Sequence, residues 1–102
     1  MEVSFKQYLV DFNGVILKTD KQQSLTLRIA TVNALLAQFA DEVSLSGEEK
    51  MVRFELALKI NSELDPVTIT AEEIALIKKL IAKAYATLIV GQAWKLLEKE
   101  KN

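Results

Sequence analysis

Carboxylates, lysines and hydroxyls are the only side chains in this sequence with acid/base or nucleophilic chemistry to offer, because histidine and cysteine are both absent. That removes the usual neutral-pH proton carrier, the thiol nucleophile, and the commonest nitrogen and sulfur ligands of transition metals. Two acidic pairs remain, Glu48-Glu49 and Glu72-Glu73. Neighbours on a helix point roughly 100° apart, so neither pair converges on one substrate atom. No glycine-rich phosphate loop and no serine nucleophile elbow is present. The expectation is a protein that is not an enzyme and has no catalytic residues, cofactor or metal.

Two constellations invite a sharper reading. Asn61, Glu63, Asp65 and Glu72 fall at positions 1, 3, 5 and 12 of a calcium loop, but Pro66 stands where the loop needs glycine and position 1 lacks a carboxylate. Acidic residues before a helix act more often as dipole partners. Lys78, Lys79, Lys83, Lys95 and Lys99 could form a basic face near Tyr85 and Trp94. A recognition helix drawn from this region would carry almost no Arg, Asn or Gln for base edges, which argues against nucleic acid. The 13 basic and 14 acidic residues are interspersed and leave a net charge of -1, so no bulk field attracts polyanions.

The elements that must position these residues begin with β-formers. Val3, Phe5, Tyr8, Val10 and Phe12 precede Asn13-Gly14 and then Val15-Ile16-Leu17, the pattern of a β-hairpin over about 3–19 with a type I′ turn. The apolar phase moves from odd positions (Val3, Phe5) to even ones (Tyr8, Val10, Phe12), which predicts a bulge near Lys6-Gln7 or a strand covered on both faces. After a polar loop at 20–24, Thr26 caps a helix over about 27–40, with Ile29, Val32, Leu36 and Phe39 inward and Arg28, Thr31 and Gln38 outward. Ser46-Gly47-Glu48-Glu49 is a reciprocal capping pattern opening a second helix, 47–61, with Met51, Phe54, Ala57 and Leu58 inward and the surface pairs Glu49/Arg53 and Glu55/Lys59. Val67-Thr68-Ile69 reads as a short strand beside the hairpin. Thr70-Ala71-Glu72-Glu73 repeats the cap and opens a third helix, 71–84, striped with Ile74, Ile77, Ile81 and Ala84. The shared start reflects capping chemistry rather than an internal repeat.

A fourth helix, about 88–99 and capped by Thr87, is apolar around most of its circumference and must be surrounded, which places it near the centre of the fold. Gly91 inside it costs roughly 1 kcal/mol relative to alanine, so something is expected to approach it closely: another helix of the same chain or a second copy. Leu88, Ile89, Gly91, Trp94, Lys95 and Leu96 are therefore the candidate interface, with a homodimer as one way of covering it. The 102 residues fit a single domain, 1–102, of α+β class, an N-terminal β-hairpin packed on about four helices. The start of the sequence lacks a signal-peptide pattern and no apolar run approaches the ~20 residues of a membrane span, so a cytoplasmic protein with no membrane association is expected.

The segments Leu45-Ser46-Gly47-Glu48-Glu49-Lys50, Arg53-Phe54-Glu55-Leu56-Ala57-Leu58-Lys59-Ile60, Thr70-Ala71-Glu72-Glu73-Ile74-Ala75-Leu76-Ile77-Lys78-Lys79-Leu80 and Val90-Gly91-Gln92-Ala93-Trp94 resemble a family of small proteins of tailed phages and prophages. The resemblance covers about residues 25–97. It implies a bacterial host cytoplasm and a short accessory protein that binds a phage or host protein, foremost in virion tail or head assembly. The alternatives are an inhibitor of a host enzyme or defence complex and, second, a small nucleic-acid-binding regulator. Binding would proceed by burial of an apolar helix face or by addition of a strand to the hairpin edge.

Overall fold

Side-chain caps fix where the helices begin. In the computed structural model, which describes residues 1–62 and 64–98, Thr26 Oγ1 accepts from the amide of Ile29 (3.2 Å) and opens α1, Leu27–Leu36. Ser46 and Thr70 each form the full reciprocal box. Ser46 Oγ accepts from Glu49 N at 3.1 Å while Glu49 Oε1 accepts from Ser46 N at 3.2 Å, and the Thr70/Glu73 distances are 3.1 and 2.9 Å. These boxes start α2, Gly47–Asn61, and α3, Ala71–Ala84. α4 spans Thr87–Glu98, so Thr87 is its first helical residue and the carbonyl of Ala86 takes the first amides; Lys99 lies outside the described residues.

The architecture is α+β, with four helices among the described residues and an antiparallel β-part built mainly from the N-terminal residues. The strand expected at 67–69 beside the N-terminal β-segment is present, and it pairs with the first residues of that segment, ahead of the hairpin corner. β2, Val67–Thr68, pairs with β1, Glu2–Val3, in the register Glu2 to Thr68 and Val3 to Val67. Asp65 fastens the same junction: its carboxylate accepts from Ser4 Oγ (2.8 Å) and Phe5 N (3.0 Å) beside the cis Asp65–Pro66 peptide.

The hairpin at Asn13-Gly14 is one side of a three-sided ring. Leu9 N donates to Leu25 O, Leu17 N to Leu9 O, and Leu25 N to Leu17 O, at 2.8–2.9 Å, so three segments spaced eight residues apart close on one another. The flanking pairs Val10–Ile16, Lys18–Ser24 and Thr26–Tyr8 follow the same cycle. Two corners are matched in detail. Asp11 N donates to Val15 O and Thr19 N to Gln23 O; Gly14 N returns to Asp11 O and Gln22 N to Thr19 O. Asp11 Oδ1 accepts from Asn13 N and Val15 N, as Thr19 Oγ1 accepts from Lys21 N and Gln23 N. Each is a three-residue loop ending in a left-handed residue, Gly14 (φ 82°) and Gln22 (φ 63°), rather than the two-residue type I′ turn expected from Asn-Gly. The third corner is replaced by the start of α1, where Leu27 N donates to Gln7 O in the equivalent position.

This ring explains the apolar phase. Val3, Phe5 and Leu9 are all buried and all odd-numbered, whereas Tyr8 is exposed and Phe12 is 97 % exposed. No bulge at Lys6-Gln7 is needed, because the even positions face outward. Leu9, Leu25 and Ala30 make a small core of their own, with Leu17 packed against it, and Tyr85 and Leu96 join it to the main core.

α1 and α3 are the two inner helices: α3 buries Ile74, Ile77, Leu80 and Ile81 and packs on α1 and α4, while α1 also packs on α2. Leu80 stands in the stripe where Ala84 was expected; Ala84 is exposed. α1 ends at Leu36, four residues early, because Ala37 turns extended (ψ 151°) and brings Phe39 onto the main core from a non-helical approach. Its buried face is Leu27, Ala30, Thr31, Ala34 and Leu35, so the predicted inward stripe is rotated: Thr31 is fully buried and Leu36 is exposed. α2 is rotated likewise. Leu56, Ala57 and Ile60 are buried with Arg53, while Met51, Phe54 and Leu58 face out. The cause is Arg53, which reaches inward to Glu42 rather than along the helix to Glu49, at 2.8 and 2.6 Å in a two-pronged pair. Lys59 pairs with Glu73 on α3 at 3.1 Å, not with Glu55.

Candidate interaction surface

α4 is an edge element, not the centre. Only Ala93 and Leu97 are buried against the main core, and Ile89 and Leu96 pack on the ring core. The reason is the ring itself, which supplies a second apolar wall and so lets a nearly all-apolar helix be satisfied on two sides while its third stays outside. Gly91 lies on that third side. A Cβ placed there would meet nothing within 4 Å, so among the described residues no other helix approaches it.

The six candidate residues separate by azimuth. Leu88, Gly91 and Lys95, at helical spacing, line one open groove of about 990 Å³ together with Val10, Asp11 and Phe12 of the first ring corner. Ile89 and Leu96 turn inward. Trp94 lies on the α3 side, 37 % exposed, where its indole N–H donates to Lys78 O (3.2 Å) and the Lys78 ammonium sits 5.1 Å from the ring centroid.

The hairpin and α4 are held together by Gln92. Its carboxamide oxygen accepts from Val10 N at 2.8 Å and its amide nitrogen donates to Val10 O at 2.6 Å, reading the backbone as a neighbouring strand would. The outer edge at Val10 is thereby occupied, which removes that position from strand addition. The same grip fixes the loop that carries Phe12 beside Leu88 and Gly91. Phe12 and Gln92 were not singled out by sequence reasoning. A glutamine within an apolar helix, opposite a hairpin whose even positions are apolar, was the available signal.

A second apolar surface lies on α2. Met51, Phe54 and Leu58 share one helical face and are 52, 49 and 56 % exposed, and Leu36 (57 %) and Val43 (89 %) adjoin them, Leu36, Val43 and Phe54 lining one groove.

The ionisable groups displaced from ordinary behaviour are all used to tie elements together. The Arg53 hydrogen bonds, opposed by burial and assisted by Lys83, hold the Glu42 carboxyl down at about 2. Lys83 is raised by Asp41, at 3.1 Å, against a burial effect of opposite sign, with Glu42 assisting at 3.3 Å. Burial pushes Asp65 up, but the Ser4 hydroxyl, the Phe5 amide and the charges of Lys6 and Arg28 outweigh it and leave it below the usual carboxylate range. Burial also raises Glu73, and the Thr70 amide and Lys59 overcome it.

No cluster of three metal-ligating side chains occurs among the described residues. Of the calcium-loop positions, Asp65 is committed to Ser4 and Phe5, Glu72 is exposed at the start of α3, and Glu63 lies outside the described residues. In the proposed basic face, Lys78 is paired with Glu98 and Lys83 with Asp41 and Glu42. No family model, curated protein or solved structure matches this chain. No described helix is long and apolar enough to cross a membrane.

Proposed function

We propose that this protein acts without chemistry of its own, as an interaction module of a tailed phage that helps assemble the virion tail or head. The observation that carries the reading is the exposed apolar face of α2, Met51, Phe54 and Leu58, with Leu36 and Val43 in the groove beside Phe54, exposed apolar surface of the kind that marks a protein contact. The phage setting rests on the resemblance of the 45–60 and 70–94 segments to small phage proteins. Against catalysis stands the use of Glu42, Asp65 and Glu73 as fasteners rather than as groups converging on a cleft. Against nucleic acid stands the pairing of Lys78 and Lys83 with acidic partners.

The test is affinity purification of the tagged chain from infected or induced cells, with wild type and Phe54→Glu in parallel. A virion subunit recovered with wild type and lost with the variant, whose helical circular dichroism is unchanged, supports the proposal. A host enzyme or defence complex recovered in the same way replaces assembly with inhibition. Recovery indifferent to Phe54→Glu overturns the assignment of this face.

A further inference from the structure

We infer that the groove between the first ring corner and α4 is a self-docking site, in which a second copy of this chain seats its Phe12 over Gly91. This inference rests on the reading of the protein as an interaction module but concerns a different face from that of α2.

Three features of the groove select a second copy as the occupant. The first is that it holds both a projection and a seat. Phe12 is 97 % exposed, yet it is not on a slack loop: Gln92 clamps the adjoining Val10 through two hydrogen bonds, and Asp11 Oδ1 accepts the Asn13 and Val15 amides across the loop. An aromatic side chain presented on a braced loop loses little freedom on docking, which favours it as an anchor. Beside it Gly91 leaves the helix surface bare, with nothing within 4 Å of a Cβ position. In a two-fold arrangement, residue i meets j while j meets i, so one projection and one seat on a single face complete each other.

The second feature is charge. Asp11 and Lys95 line the same groove with opposite signs. Among the described residues Lys95 forms no ion pair, and Asp11 keeps a carboxylate oxygen beyond the one used in the loop. Pairing this groove with its own copy lets the Lys95 charge of one chain meet the Asp11 charge of the other. A groove of one sign would have demanded a different partner.

The third is the glycine itself. Helix interiors lose stability with glycine, and packing within the chain gives no reason for one at position 91. Close approach by an aromatic ring of another copy supplies that reason. Phe12 contributes roughly 200 Å² from each copy, so with the groove walls the contact falls toward the small end of specific interfaces. Association in the micromolar range is expected.

Sedimentation velocity on the full chain from 1 to 500 µM tests this with Phe12→Ser, Gly91→Leu and Lys95→Glu. Phe12 is solvent-exposed and Gly91 faces open space, so the first two variants should keep the wild-type circular dichroism, and Gly91→Leu should melt no lower than wild type. The expected result is a concentration-dependent dimer whose dissociation constant rises about thirtyfold or more with Phe12→Ser and with Gly91→Leu, and several-fold with Lys95→Glu. A wild-type chain that stays monomeric throughout overturns the inference. So does a dimer that survives both Phe12→Ser and Gly91→Leu, which would place the contact on another face. Neither failure touches the α2 assignment, which is read by Phe54→Glu in the capture experiment, and a Phe54→Glu failure leaves the dimer measurement standing.

Discussion

The two matched corners of the ring differ in one residue where the backbone is least forgiving, and this sets up a pair of substitutions with opposite signs. Gly14 and Gln22 both close a three-residue loop in the left-handed region, at φ 82° and 63°. A side chain there costs about 1–2 kcal/mol, while glycine gives back roughly 0.5–1 kcal/mol through the greater freedom of its unfolded state. Gln22→Gly should therefore raise stability by about 0.5–1 kcal/mol. Gln22 is exposed and its side chain makes no hydrogen bond among the described residues, so little is lost with it. Gly14→Ala should lower stability by about 1 kcal/mol, since a Cβ at Gly14 meets no atom and only the backbone conformation is penalised. In a domain of this size about 1 kcal/mol corresponds to a melting shift of roughly 4–8 °C. Urea titration and thermal circular dichroism resolve both. If Gln22→Gly is neutral or destabilising while Gly14→Ala costs its expected amount, the corners are not equivalent and the ring as described is wrong.

Ser46→Ala and Thr70→Ala should each cost about 1 kcal/mol in urea melts, because each removes one half of a reciprocal cap. Glu42 is depressed from 4.5 to about 2 in the folded protein, so the stability it contributes is present above pH 4.5 and is lost as pH falls toward 2. Glu42→Gln should flatten the acid-unfolding curve over that window and lower stability at pH 7, where Arg53 is left buried without its counter-charge. Calorimetric titration with calcium, magnesium or zinc should give no stoichiometric heat, since both Asp65 oxygens are engaged by Ser4 and Phe5. A micromolar site abolished by Asp65→Asn would refute that.

The helix starts were legible because capping is local chemistry. Ser46 with Glu49 and Thr70 with Glu73 need only each other, and α2 and α3 begin where those residues dictate. Facing was less legible, because it is decided at a distance. Arg53 belongs to the buried face of α2 only through Glu42, eleven residues earlier, and nothing in helical spacing announces such a partner. Once Arg53 is inside, Met51, Phe54 and Leu58 must be outside. The position of α4 failed for a related reason: its apolar circumference is satisfied by two cores, and the second is made by the ring. The ring left a faint trace in the sequence, leucine at 9, 17 and 25 with a side-chain acceptor at 11 and 19. The trace is obscured because Asp11-Phe12-Asn13-Gly14 and Thr19-Asp20-Lys21-Gln22 share geometry but no residue at a matching position, and Gln22 hides the left-handed position that Gly14 advertises. Of the interface candidates, Leu88, Gly91 and Lys95 fall together because they share a helical azimuth, and Phe12 joins them only through the Gln92 clamp.

The ring and the β1–β2 junction differ greatly in how far apart their partners lie along the chain, and this orders events during synthesis. The ring closes with partners eight to twenty residues apart and is complete once Leu27 has left the ribosome. Ser4 and Phe5 are held by Asp65, 61 and 60 residues later, and Met1 by Ile69. Three doublings of loop length add about 2 kcal/mol of closure entropy, so the residues ahead of Phe5 cannot be secured early. While α2 is being made, Val3 and Ser4 travel as an unpaired segment ahead of an already folded ring, with Phe5 tied only through its carbonyl to Arg28 N at the start of α1. That interval, between translation of Leu27 and of Ile69, is when the nascent chain is most open to chaperone binding and to pairing with a neighbour on the same message.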